Sequence, residues 1–131
     1  MEKERNDREK KEILQARNEA FKMRIIDFSV SVMKLCKKLR IDPTLWSLSD
    51  QIIRSATSIG ANINEAQGSA SRKDFANYFQ IALKSAKETR YWIQVIERYD
   101  PRIKELAYLR EECESLTNIL QASIKTLRSK L

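Results

Sequence analysis

Histidine is absent from the 131 residues. Its absence excludes a Ser–His or Cys–His nucleophile pair and the Glu-x-x-His ligand motif of carboxylate-bridged metal bundles. Glycine and proline occur only twice each. Gly60 and Gly68 are too isolated to form a phosphate-cradling loop, and so few chain breakers favour long helices. The two cysteines, Cys36 and Cys113, lie far apart without metal-ligand spacing, so they read as small core residues in a reducing compartment. No apolar run approaches the roughly 18 residues needed to cross a bilayer, and the N-terminus lacks the apolar segment of a secretory signal. The expectations are a cytoplasmic protein with no enzymatic activity, no cofactor, no metal and no membrane association.

Charge is plentiful instead. Charged residues make up 33% of the chain, and the formal net charge is +7, a balance that permits polyanion binding. Residues 1–12 contain five basic and five acidic side chains, unlike a one-signed nucleic-acid arm. They read as a charged extension, either a frayed helical one or a disordered tail, preceding a single domain over 13–131.

That domain shows four helical periods. The first, from about Ile13 to Leu39, carries Phe21, Ile25, Phe28, Val32, Leu35 and Leu39 on one seam and Met23, Ile26, Val30 and Met33 on nearly the opposite side. A helix apolar on two faces needs two partners. Asp42-Pro43 ends it. The second helix, roughly 45–66, has Thr44 or Ser47 as its cap, a seam of Ile52, Ala56, Ile59, Ile63 and Ala66, and small residues suited to a close helix approach. Gly68 marks its C-terminal cap, and Ser71 with Asp74 resembles a capping box opening the third helix, Arg72 to Tyr99. That helix carries one seam through Phe75, Phe79, Ala82, Ala86, Thr89, Ile93 and Ile96, and another through Tyr78, Ile81, Ser85, Glu88, Trp92, Val95 and Tyr99. Asp100-Pro101 is read as the start of the fourth helix, whose seam is Leu106, Leu109, Cys113, Leu116, Leu120 and Leu127. The fold class is all-α: an antiparallel up-down-up-down four-helix bundle.

The run Arg54-Ser55-Ala56-Thr57-Ser58-Ile59-Gly60-Ala61-Asn62-Ile63-Asn64-Glu65-Ala66, followed by Gly68, Ser71-Arg72-Lys73-Asp74-Phe75, Ala82-Leu83-Lys84, Glu88-Thr89 and Tyr91-Trp92, resembles the bacterial 23S rRNA intervening-sequence proteins. Similarity is densest over 52–96. Many members of that family have Glu-Gly directly at the loop, whereas Glu65-Ala66-Gln67-Gly68 stands here and implies a longer or reshaped corner. The resemblance implies a bundle assembled as a homopentameric ring, with no established activity for most members. The similar accessory protein of diversity-generating retroelements binds nucleic acid and a reverse transcriptase.

Two surfaces follow. Met23, Ile26, Val30 and Met33 of the first helix, with Tyr78, Ile81, Trp92, Val95 and Tyr99 of the third, form a candidate oligomer interface, because soluble monomers rarely expose apolar strips of that size. The alternative is that the fourth helix covers both seams of the third. In an antiparallel bundle, Arg17, Lys22, Arg24, Arg72, Lys73, Lys125, Arg128 and Lys130 gather at one pole, a candidate site for RNA or DNA. No base-reading motif accompanies them, so contacts there would be to the phosphate backbone. Two readings stand. One is an oligomer binding nucleic acid; the other is an oligomeric scaffold recruiting a protein such as a nucleic-acid enzyme, for instance a reverse transcriptase.

Overall fold

The structure is a computed structural model that describes residues 1–129 and, within them, the side chains of residues 1–6 and 18–129. It is all-α, with no strand among the described residues. Four long helices, α1 (Glu2–Leu39), α2 (Trp46–Gln67), α3 (Arg72–Tyr99) and α4 (Glu105–Ser129), are joined by short corners, and one 3-10 turn, Pro43–Leu45, precedes α2. α1 packs on α2 and α4, and α3 packs on α2 and α4. Side-chain contacts set the pairings antiparallel. Ser29 Oγ donates to the Ala56 carbonyl at 3.4 Å and Cys36 Sγ to that of Ser49 at 3.6 Å. Cys113 Sγ donates to the Ala86 carbonyl at 3.3 Å, and Lys38 Nζ to Glu105 at 3.0 Å.

The expected seams form the core. Ile25, Phe28, Val32, Leu35 and Leu39 of α1 meet Ile52, Ala56, Ile59 and Ile63 of α2, Ala82, Ala86, Ile93 and Ile96 of α3, and Leu106, Leu109, Leu116 and Leu120 of α4. All are buried because their heptad spacing places them on one stripe of each helix. At Gly60 a Cβ would stand 3.1 Å from Ile25 Cγ2, so α1 reaches α2 more closely there than a larger residue allows. Gly60→Leu is expected to destabilise the fold by roughly 1–3 kcal/mol through overpacking, measured as a lowered urea midpoint.

Hydroxyls and an amide line the α2–α3 contact. Thr89 Oγ1 lies 2.8 Å from both Ser55 Oγ and the Ser85 carbonyl oxygen, and Ser85 Oγ donates to Ser58 Oγ at 3.0 Å. Asn62 Nδ2 donates to the Ser58 carbonyl at 2.8 Å. The small side chains therefore satisfy one another across a narrow gap, which fixes how the two helices slide relative to each other. Thr89→Val, similar in shape but without the hydroxyl, leaves Ser55 short of a partner and is expected to lower stability by about 1 kcal/mol.

Helix boundaries differ from the sequence reading at three places. α1 is assigned from Glu2 rather than from about Ile13. Neither Thr44 nor Ser47 caps α2. Asp42 Oδ1 instead accepts from Thr44 N at 3.0 Å, and the 3-10 turn runs directly into α2. Gly68 does end α2, but at φ −94°, outside the left-handed region. Its N–H reaches the Glu65 carbonyl at 3.1 Å, and Ser69 Oγ donates to that of Ala66 at 2.6 Å, so the last carbonyls are closed without a left-handed residue. Asp100-Pro101 does not start α4. Asp100 Oδ1 accepts from Arg102 N at 3.1 Å and Nε at 2.9 Å, an aspartate-centred turn that delays the helix to Glu105. At the other predicted boundary, Ser71 Oγ does accept from Asp74 N at 3.1 Å.

The corners at the Leu39–Trp46 end are tied by carboxylates. Tyr99 Oη donates to Asp42 Oδ2 at 2.7 Å, which, with the Thr44 N–H, holds the Asp42 carboxyl below its ordinary value. Hydrogen bonding to Arg102 lowers Asp100, and hydrogen bonding to Lys38 lowers Glu105. A carboxylate with a depressed folded-state pKa contributes stability above its unfolded value and loses it as pH falls through the folded value. Thermal unfolding is therefore expected to be flat near neutrality and to weaken below about pH 4. Tyr99→Phe should reduce that acid-dependent loss.

Candidate nucleic-acid interface

Several surface cations are held by carboxylates. Lys22 Nζ is 3.5 Å from Glu19, Lys38 is 3.0 Å from Glu105, and Arg40 is 3.0 Å from Asp50. Arg24 turns its guanidinium onto α4, where Nε donates to Glu112 and Nη2 to Ser115 Oγ. Arg110 is paired with Glu97 across the α3–α4 contact.

These facts redistribute the residues expected at the pole. The start of α3 and the end of α4 do come together, since Arg128 Nη2 donates to Gln80 Oε1 at 3.0 Å. Arg72, Lys73, Lys125 and Arg128 are exposed at that end. Among the described residues Lys73 and Lys125 stand in no ion pair, whereas Arg72 has an interaction of its own. Lys22 lies on α1 beside its acidic partner Glu19. Arg24 does not join the pole, because its partners are in the middle of α4. The side chain of Arg17 and the whole of Lys130 lie outside what the structure describes.

The apolar candidates divide in two. Met23, Ile26, Val30 and Met33 on α1 and Ile81 and Tyr99 on α3 are exposed, with Val30 the least open at 41% and Met23 the most at 55%. Tyr78, Trp92 and Val95 are half-buried, and Tyr78 and Trp92 pack against the core. Trp92 Nε1 is buried with no hydrogen-bond partner among the described residues, and its ring meets Tyr91 edge-on at 5.3 Å. Periodicity along α3 could not separate these two groups, because it does not report how far α2 wraps over a neighbouring stripe.

One cluster escaped sequence reasoning. Trp46 Nε1 donates to the Arg40 carbonyl at 2.6 Å and Tyr99 holds Asp42. The two rings therefore flank the corner bearing Ile41, which is 87% exposed. Only the Pro43 break signalled this corner, and a break does not disclose which distant rings close on it.

Neither cysteine offers chemistry. Burial pushes the Cys36 thiol up to about 11 and the Cys113 thiol up to about 12, so little thiolate exists near neutrality. Native protein is expected to leave both thiols unreacted with a disulfide reagent at pH 8, and to release both on unfolding. Among the described residues no group of acidic or cysteine side chains is arranged to hold a metal ion. No helix there is long and apolar enough to cross a membrane.

The model of the 23S rRNA-intervening sequence protein family matches residues 17–122, taking in most of α1, all of α2 and α3, and most of α4. The chain belongs to that family. A crystal structure of an S23 ribosomal protein family member from Bacteroides thetaiotaomicron, a protein of unknown function, is similar at 36% identity with a TM-score of 0.75, covering 80% of this chain and 98% of that one. No curated protein matches the sequence. The matched span includes the apolar candidates of α1 and α3 together with Arg72 and Lys73, and ends before Lys125 and Arg128.

Proposed function

We propose that this member of the family is a non-enzymatic cytoplasmic protein, an up-down-up-down four-helix bundle that assembles as a homopentameric ring. It binds nucleic acid, RNA foremost, by backbone contacts at the pole where α3 begins and α4 ends. The observation that carries the reading is the meeting of the start of α3 with the end of α4, which brings Lys73 and Lys125, exposed and in no ion pair among the described residues, to one pole. Unmatched cations release counterions from phosphates on binding, and a ring repeats the contact in every subunit. Assembly is supported by the exposed apolar stripe of α1, which lies opposite the core-facing stripe.

The test is filter binding of the full chain to RNA at several salt concentrations. Wild type should bind at low salt, and Lys73→Glu/Lys125→Glu should bind at least about tenfold more weakly, with a shallower salt slope. Equal affinity for both proteins would remove the pole from the account.

The scaffold reading draws on the opposite end, where Ile41 and Trp46 are exposed beside Tyr99. Exposed aromatic and aliphatic side chains suit a protein partner better than phosphate. A pull-down partner that survives nuclease and high salt, together with absent RNA binding, would favour it.

A further inference from the structure

The outward face of α3 carries a continuous run of polar and basic side chains. Asn77, Gln80, Lys84, Lys87, Tyr91 and Arg98 follow one another at heptad spacing along it, so they form a single row pointing away from the core. All are exposed. Among the described residues none of the three cations in the row is in an ion pair. The row itself contains no carboxylate. Asp74 and Glu88 sit toward its α2 side, and Glu97 on the other side is occupied by Arg110. Asn77, Gln80, Ile81, Lys84 and Lys87 line a shallow open groove, and Arg128 adds a further cation by donating to Gln80 Oε1 at 3.0 Å.

We infer that this face is a track for single-stranded nucleic acid, with the lysines and Arg98 following one phosphate backbone and Tyr91 receiving a base on its ring. The row is one cation wide and about 30 Å long at 1.5 Å per residue, which matches one strand rather than the two backbones of a duplex. Tyr91 is 58% exposed and braced edge-on by Trp92. A braced, open ring is a stacking platform, and only an unpaired base can reach it. Beside the lysines, the amides of Asn77 and Gln80 supply neutral donors that reach phosphate or sugar oxygens without reading sequence. The inference rests on the proposal that the protein binds nucleic acid, but it names a different surface from the Lys73–Lys125 pole.

The experiment is fluorescence anisotropy of the full-length protein with a labelled oligouridylate and with an RNA duplex of equal length, across a salt series. Wild type should bind the single strand more tightly. Lys84→Glu/Lys87→Glu should weaken that binding at least about tenfold and flatten the salt slope by roughly 0.7 per lysine lost. Tyr91→Ala should weaken it about fivefold or more with the slope unchanged, and Tyr91→Phe should restore it. Since all three positions are exposed, circular dichroism should match wild type. Unchanged binding in these variants, with loss confined to Lys73→Glu/Lys125→Glu, would overturn the track and leave the pole standing. A duplex bound as tightly as the single strand would also overturn it. A wild type with no affinity for either probe would remove both the track and the proposed function.

Discussion

Ile93→Ala is expected to lower the unfolding free energy by about 2–5 kcal/mol, the usual cost of deleting a fully buried branched side chain and leaving a cavity. Ile93 is 0% exposed and lies on the helix that packs against both α2 and α4. Close packing on those sides limits collapse into the void, which places the effect toward the upper part of the range. Ile93→Val, which removes one methylene-sized group, should cost only about 0.5–1.5 kcal/mol. Ile81→Ala on the same helix provides the control. Ile81 is exposed, and its truncation should stay within about 0.5 kcal/mol. Urea unfolding at one fixed protein concentration measures all three, because association would otherwise shift apparent stability.

The second large effect concerns assembly. Ile26→Lys/Met33→Lys is expected to dissociate the proposed oligomer to the 15.3 kDa chain in light scattering, with unchanged far-UV circular dichroism. Ile26 and Met33 are 51% and 52% exposed, so lysine at either position keeps its ammonium in water within an isolated subunit, and lysine is a good helix former. In an interface the same ammonium groups would be buried without partners. At the scale of interface hot spots this costs about 2 kcal/mol or more per site, roughly a thirtyfold change in association for each. Trp92 and Tyr78 are poorer positions for this test, because both pack against the core and their truncation would disturb folding as well.

The core was legible because heptad spacing translates directly into a buried stripe. Ile25 through Leu39 on α1 and Leu106 through Leu120 on α4 lie where periodicity puts them. The third helix was legible at both ends, since Ser71 signals its cap by side-chain chemistry and Asp100-Pro101 ends it. The corners were less so. Asp42 and Asp100 each use a carboxylate to hold a backbone N–H two residues onward. Sequence shows the aspartate but not whether it opens a helix or closes a turn. The α2–α3 hydroxyl ladder was legible only as small residues. Whether Ser55, Ser58, Ser85 and Thr89 pair across a gap depends on helix register, which the apolar pattern alone leaves free.

For the charged surface, composition gave excess cations without their partners. Lys22 and Arg24 counted toward the pole in sequence, yet Glu19 takes one and Glu112 the other. The Glu112 pairing joins residues far apart in the chain, and only the α1–α4 contact brings them together. The outward row of α3 was hidden for a related reason. Polar residues at heptad spacing look like an ordinary solvated face until their cations are shown to stand in no ion pair.

The most direct test of the account is the salt dependence of RNA affinity for the wild-type protein. The account predicts measurable binding at low salt and a linear fall of log affinity with log salt. The slope should correspond to several phosphates neutralised at roughly 0.7 each for a single strand. A folded wild-type protein with no RNA or DNA affinity at low salt would contradict it.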